Sequence, residues 1–209
     1  MNNVDIDKLE SVYNSFINML KNIGEENSHV LEELVKIEEY KNFRHSLEEE
    51  SDRGSALMAA AFIEEKIGEL LQLFCVDNKK IYTRLFENNG ALATFSSKID
   101  LAFLLGIIPK NIFDDLHLLR RIRNDFAHKA SHITFESSPI KERCYSFSVL
   151  VKTQLRDHPR AYFLRAMTVI LTFIGGQSQN LKKCTMVENF NTDTIEQMMK
   201  KVNQRIQKN

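Results

Sequence analysis

Breakers of regular structure are scarce in this chain, with only 7 Gly and 3 Pro among 209 residues. With so little turn chemistry available, apolar residues recurring every three or four positions can organise long helices. Residues 5–23 place Ile6, Leu9, Val12, Tyr13, Phe16, Ile17 and Leu20 at helical spacing and stop at Gly24. Residues 29–48 repeat the pattern with Val30, Leu31, Leu34, Ile37 and Leu47, then run into Glu48-Glu49-Glu50. At Ser51-Asp52-Arg53-Gly54 either Ser51 or Asp52 can cap the next helix, which the spacing extends to about Phe74. Its Leu57, Ala60, Ala61, Ile63, Ile67, Leu70, Leu71 and Phe74 cover more than one face, as a central core helix requires.

Shorter helices are expected over about 80–86, before the turn Asn88-Asn89-Gly90, and over 95–105, ended by Gly106. Pro109 restarts the chain, and Ile112, Phe113, Leu116, Leu119, Ile122 and Phe126 anchor a helix over 110–128. Ser138-Pro139 reads as an N-cap followed by proline at the first helical position. Residues 145–151 fit a short strand or a loop. An apolar helix over 160–174 should stop at Gly175-Gly176, and Asp193 with Glu196 suggests a capped last helix to about Arg205. The expected class is all-α: a helical bundle, with Phe62, Ile67, Leu71, Leu101, Leu116, Leu119 and Ile170 in or near its core. Residues 1–48 form an acidic N-terminal helical arm and 49–209 the main helical domain.

Net charge is zero, yet unevenly placed. Residues 1–52 hold 13 acidic against 5 basic residues, which leaves 15 against 23 in the remainder. The body can therefore attract a polyanion, and the arm is placed to screen it. Three cysteines, Cys75, Cys144 and Cys184, lie far apart without metal-site spacing and read as reduced, mostly buried thiols. No window is apolar enough to span a bilayer, and the N-terminus lacks a signal-peptide pattern, so a cytoplasmic protein without membrane association is expected.

The densest chemistry sits at Arg120-Arg121-Ile122-Arg123-Asn124-Asp125-Phe126-Ala127-His128. On a helix Arg120, Arg123, Asn124, Ala127 and His128 share the polar side, opposite Leu118, Ile122 and Phe126. Asp125 can reach Arg121 or His128. An imidazole for proton transfer beside a guanidinium for phosphate suits metal-free cleavage of RNA, and a two-fold dimer would supply the second imidazole. Basic residues in a last turn are also favoured by the helix dipole alone. The candidate catalytic residues are thus Arg123, His128, Asn124 and Asp125; those for nucleic acid are Arg120, Arg121, Arg123 and Lys129. His128 and His132 have metal-pair spacing but lack a third ligand, so neither metal nor cofactor is expected. His29, His45, His117 and His158 read as surface or capping residues. Neither a Gly-rich phosphate loop nor a recognition helix with base-reading residues is evident.

Two resemblances add to this. Ser51-Asp52-Arg53-Gly54 through Phe74, Leu85-Phe86-Glu87-Asn88-Asn89-Gly90-Ala91-Leu92, Phe95-Ser96-Ser97-Lys98-Ile99-Asp100-Leu101-Ala102 and Leu104-Leu105-Gly106-Ile107-Ile108 resemble the mannitol operon repressor family over about residues 51–150. The Gly-x-Leu-x-x-Phe-Ser segment before a helix ending in Leu-Gly is the most specific part, and residues 1–48 depart from the pattern. Arg123 and His128 also resemble the Arg-x4-His motif of HEPN domains, with Asn124 and Asp125 at the polar positions after the arginine. The first resemblance implies a bacterial regulator acting through protein contacts or a basic helical surface. The second implies an alternative: a metal-independent endoribonuclease whose Arg123 and His128 meet across a homodimer. The expected partners are a second copy, a protein of transcriptional control, or RNA.

Overall fold

The computed structural model describes residues 28–128, 132–150, 158–187 and 192–206. Among them eight helices follow one another and no strand occurs: α1 (Ser28–Glu49), α2 (Asp52–Phe74), α3 (Lys79–Phe86), α4 (Phe95–Leu104), α5 (Lys110–His128), α6 (Ile140–Cys144), α7 (Pro159–Asn180) and α8 (Thr192–Ile206). The all-α class is as expected. The helix anticipated over 5–23 lies outside the described residues.

α2 is the axis of the bundle because its buried side alternates small and large residues. Ala56, Ala59 and Ala60 let neighbouring backbones approach, while Ile63, Ile67, Leu70 and Leu71 fill the space beyond. Around it pack α1, α4, α5 and α7. α5 contributes Ile112, Leu116, Leu119, Ile122 and Phe126, and α7 contributes Phe163, Ala166, Met167, Ile170 and Leu171. Phe62 and Leu101 lie half-buried against this core. At one end an aromatic chain closes it: Phe126 meets Phe135 at 5.1 Å between ring centroids, and Phe135 meets Phe163 at 4.8 Å.

Local chemistry explains the helix ends. Ser51 is the N-cap of α2, its Oγ accepting from Gly54 N at 3.0 Å. Asn78 caps α3 and Thr94 caps α4 in the same way. At Gly90 a Cβ would lie 2.3 Å from Leu85 O, so only glycine lets the chain close the turn after α3. α4 ends in a Schellman arrangement: Gly106, at φ +70°, donates to Phe103 O, and Ile107 N donates to Ala102 O at 2.9 Å.

Two expectations need correction. Pro139, joined to Ser138 by a cis peptide bond, occupies the N-cap position of α6 rather than its first turn, and no side chain caps that helix. Of the two readings open for residues 145–151, residues 145–150 take the loop: they form turns, and the amides of Ser148 and Val149 donate to the Asp115 carboxylate. α7 continues through Gly175 and Gly176 to Asn180. Gly175 serves contact there: a Cβ would stand 3.2 Å from the Tyr40 ring on α1. This close approach seats α1 on α7, and Leu47, near the end of α1, is buried.

The junction of α1 and α2 is held by one arginine. Arg160, in the first turn of α7, donates from Nη1 to Asp52 Oδ1 at 2.8 Å and from Nη2 to Leu47 O at 3.0 Å, Glu48 O at 3.1 Å and Glu50 O. Those carbonyls include ones that the end of α1 leaves without helical partners. The second oxygen of Asp52 accepts from Phe135 N at 2.8 Å.

Candidate functional site

The C-terminal half of α5 is oriented by Leu118, Leu119, Ile122 and Phe126, which face the core and leave Arg121, Arg123 and His128 on the outer side. Arg121 is exposed, its Nε donating to His117 O at 3.3 Å. Arg120 is half-buried, and its Nε is sequestered without a hydrogen-bond partner among the described residues. Arg123, also half-buried, donates from Nη1 to Asn124 Oδ1 at 3.0 Å. His128 is exposed at the helix end. Lys129 lies outside the described residues.

Asp125 has neither of its anticipated partners. It accepts from Arg143 Nη1 on α6, in an ion pair that ties the end of α5 to that short helix. His117 differs from its surface reading too: its side chain is only 16% exposed, its Nε2 lies 3.0 Å from Asp100 Oδ1 of α4, and its ring meets Phe113 edge-on. Neither partner adjoins in sequence the residue it holds, so spacing along one helix carried no sign of them. Cys144 is buried as expected, and burial pushes its thiol up to about 12. Cys184 is exposed, contrary to expectation, because the segment after α7 runs along the surface.

Asp115 is the buried carboxylate that sequence reasoning missed. It is 2% exposed and accepts from Ser148 N at 2.9 and 3.0 Å and from Val149 N at 2.9 Å. Burial raises its pKa above the ordinary carboxylate value, and the amide hydrogen bonds oppose that rise. Its partners mark it as a loop anchor.

Chemically, the end of α5 concentrates positive charge. Among the described residues Arg120, Arg121 and Arg123 form no ion pair with a carboxylate, so positive charge surrounds the polar side of this helix end. Helix geometry sets Arg123 and His128 about 7.5 Å apart along the axis and about 140° apart around it. The Arg123 fork is turned to Asn124 rather than toward the imidazole. Among the described residues no group of three or more His, Cys, Asp and Glu is placed to hold a metal ion, and no helix is long and apolar enough to cross a membrane.

The described residues form a helical bundle that presents a basic helix end. The sequence model described as the mannitol repressor matches residues 27–202, and the chain belongs to that family. That match reaches back through α1. No curated protein is significantly similar in sequence. Among solved structures, the X-ray structure of the MtlR-HPr complex from Escherichia coli is similar, with a TM-score of 0.55 and 18% identity over 65% of this chain and 97% of that one. At this identity the likeness is one of fold.

Proposed function

We propose that this protein is a mannitol-repressor-like regulator that acts by protein contact, with the basic end of α5 around the exposed Arg121 as the surface its partner meets. Family membership carries the reading. The similar solved protein was captured in a complex with HPr, which makes the HPr of the same cell the first partner to test. In support, Arg121 is exposed and none of Arg120, Arg121 and Arg123 is neutralised by a carboxylate of the described chain. An acidic partner surface would supply the missing charge and steer association. The ribonuclease alternative has no comparable support, since Arg123 and Asp125 are engaged by Asn124 and Arg143.

Isothermal titration of the full chain with that HPr at low and moderate salt tests this. Saturable binding is expected, weakened by salt, with Arg121→Glu reducing affinity by about tenfold or more while the melting temperature stays unchanged. Absence of binding at both salt concentrations would reject HPr as partner. Binding indifferent to Arg121→Glu would move the docking surface away from α5.

A further inference from the structure

α2 ends at Phe74, and Cys75 continues the chain in extended conformation at its C-cap. After α7 the chain returns past this point as a segment without regular secondary structure, residues 181–187. Two ties hold the strands of chain together. Cys184 N donates to Phe74 O at 2.7 Å, and Lys183 Nζ lies 3.9 Å from Asp77 Oδ2. With that backbone hydrogen bond of 2.7 Å in place, standard bond lengths hold the Cα atoms of Cys75 and Cys184 within about 7 Å, a limit that overlaps the range of about 4.4–6.8 Å that a disulfide spans. Both cysteines are free thiols.

We propose that Cys75 and Cys184 form a reversible, redox-controlled disulfide that clamps the segment after α7 to the end of α2. The two thiols differ in the way a stepwise oxidation needs. Cys184 is exposed and meets the oxidant first, whereas Cys75 is half-buried and positioned to resolve. With hydrogen peroxide as oxidant, the Cys184 sulfur attacks the peroxide; the O–O bond breaks, an S–O bond forms, and one water leaves. The Cys75 sulfur then attacks the sulfenic sulfur of Cys184; the S–O bond breaks, the S–S bond forms, and a second water leaves. Two electrons pass from the thiols to the peroxide, and a reducing dithiol returns them by exchange. Burial, and then the nearby Cys184, raises the pKa of Cys75, so closure quickens as pH rises through the thiol range. Cys144 is the internal control, a buried thiol held protonated by its surroundings.

The clamp has a structural consequence. Lys183, next to Cys184, lines a cleft between α1, α2 and α7 together with Tyr40, Lys66, Glu69, Leu73 and Ile174. A disulfide at position 184 fixes that wall, and with it the root of the segment leading to α8.

The test uses the full-length protein, reduced, freed of reductant and kept dilute. It is treated with hydrogen peroxide, denatured in N-ethylmaleimide, and read by intact mass and peptide mapping under non-reducing conditions. The expected product is a monomer about 2 Da lighter than the reduced chain before labelling, carrying one maleimide, on Cys144, and yielding a peptide joined through Cys75 and Cys184; dithiothreitol should restore labelling of all three thiols. Cys75→Ser should leave Cys184 as a dimedone-reactive sulfenic acid. Three labelled thiols after oxidation, a cross-link to Cys144, or an intermolecular Cys184 dimer as the main product would overturn the proposal. The wild-type peptide map decides even if the Cys75 variant folds poorly.

Discussion

Asp115 and Arg160 each hold backbone that no helix or sheet accounts for. Truncating Asp115→Ala strands the amides of Ser148 and Val149, and losing the partners of buried donors costs about 1–3 kcal/mol. Chemical denaturation should show that loss, with Asp115→Asn retaining part of the stability; a change under about 0.5 kcal/mol for alanine would mean that the loop finds other partners. The pH dependence has a defined sign. Because the folded pKa lies above the unfolded one, the native state binds the proton at the higher pH. Asp115 therefore makes stability fall as pH rises from its ordinary value through its raised value. Relative to Asp115→Asn, the parent should gain stability as the pH is lowered through that window. Arg160→Ala removes the ion-pair partner of Asp52 and frees carbonyls at the α1 end, for a loss of about 1–3 kcal/mol, while Arg160→Lys restores only part because lysine cannot fork between carboxylate and carbonyls. Neither residue was legible in the sequence. A carboxylate inside α5 and an arginine after Pro159 look like ordinary polar positions until residues 33 and 108 apart in sequence arrive beside them.

Helices were far easier to read than these contacts, since their signals are local. Ser51, Asn88-Asn89-Gly90 and Gly106 marked boundaries that the structure keeps, because capping and left-handed turns depend on residues a few positions apart. Gly175-Gly176 misled for the complementary reason: a glycine pair reads as a stop unless a neighbouring helix needs the space, and Tyr40 is more than a hundred residues away. The two glycines can be separated experimentally. At Gly176 a Cβ would meet nothing within 4 Å, so Gly176→Ala should raise stability by about 0.5–1 kcal/mol through helix propensity. At Gly175 the same methyl presses on the Tyr40 ring, so Gly175→Ala should gain less or lose stability, and Gly175→Leu should lose clearly. Equal gains from both alanines, measured by urea midpoint, would show that α1 does not sit tightly on α7.

Over the whole molecule, an acidic first 52 residues adjoin a basic remainder. Deleting residues 1–48 tests charge poorly, since it also removes the buried Leu47, Tyr40, and the Phe43 ring stacked 4.0 Å from Phe62. Burial of that apolar surface suggests a loss of at least about 3 kcal/mol on such a deletion, visible as a drop in melting temperature. A truncated protein as stable as the parent would establish residues 1–48 as a separable arm. Charge is better tested where the core is untouched. Glu49 and Glu50 are exposed at the end of α1, and Glu49 pairs only weakly with the exposed His45 at 3.4 Å. Replacing both by glutamine removes two negative charges and leaves the packing of Leu47 in place. If the acidic segment screens the basic body, this variant should hold a polyanion such as heparin about twofold or more tighter at low ionic strength, where the screening length is about 30 Å. The gain should vanish near 1 M salt, where that length is about 3 Å, and the melting temperature should stay unchanged. Affinity unaltered at low salt would mean that the two charged regions act independently, and the screening role of the acidic segment would have to be given up.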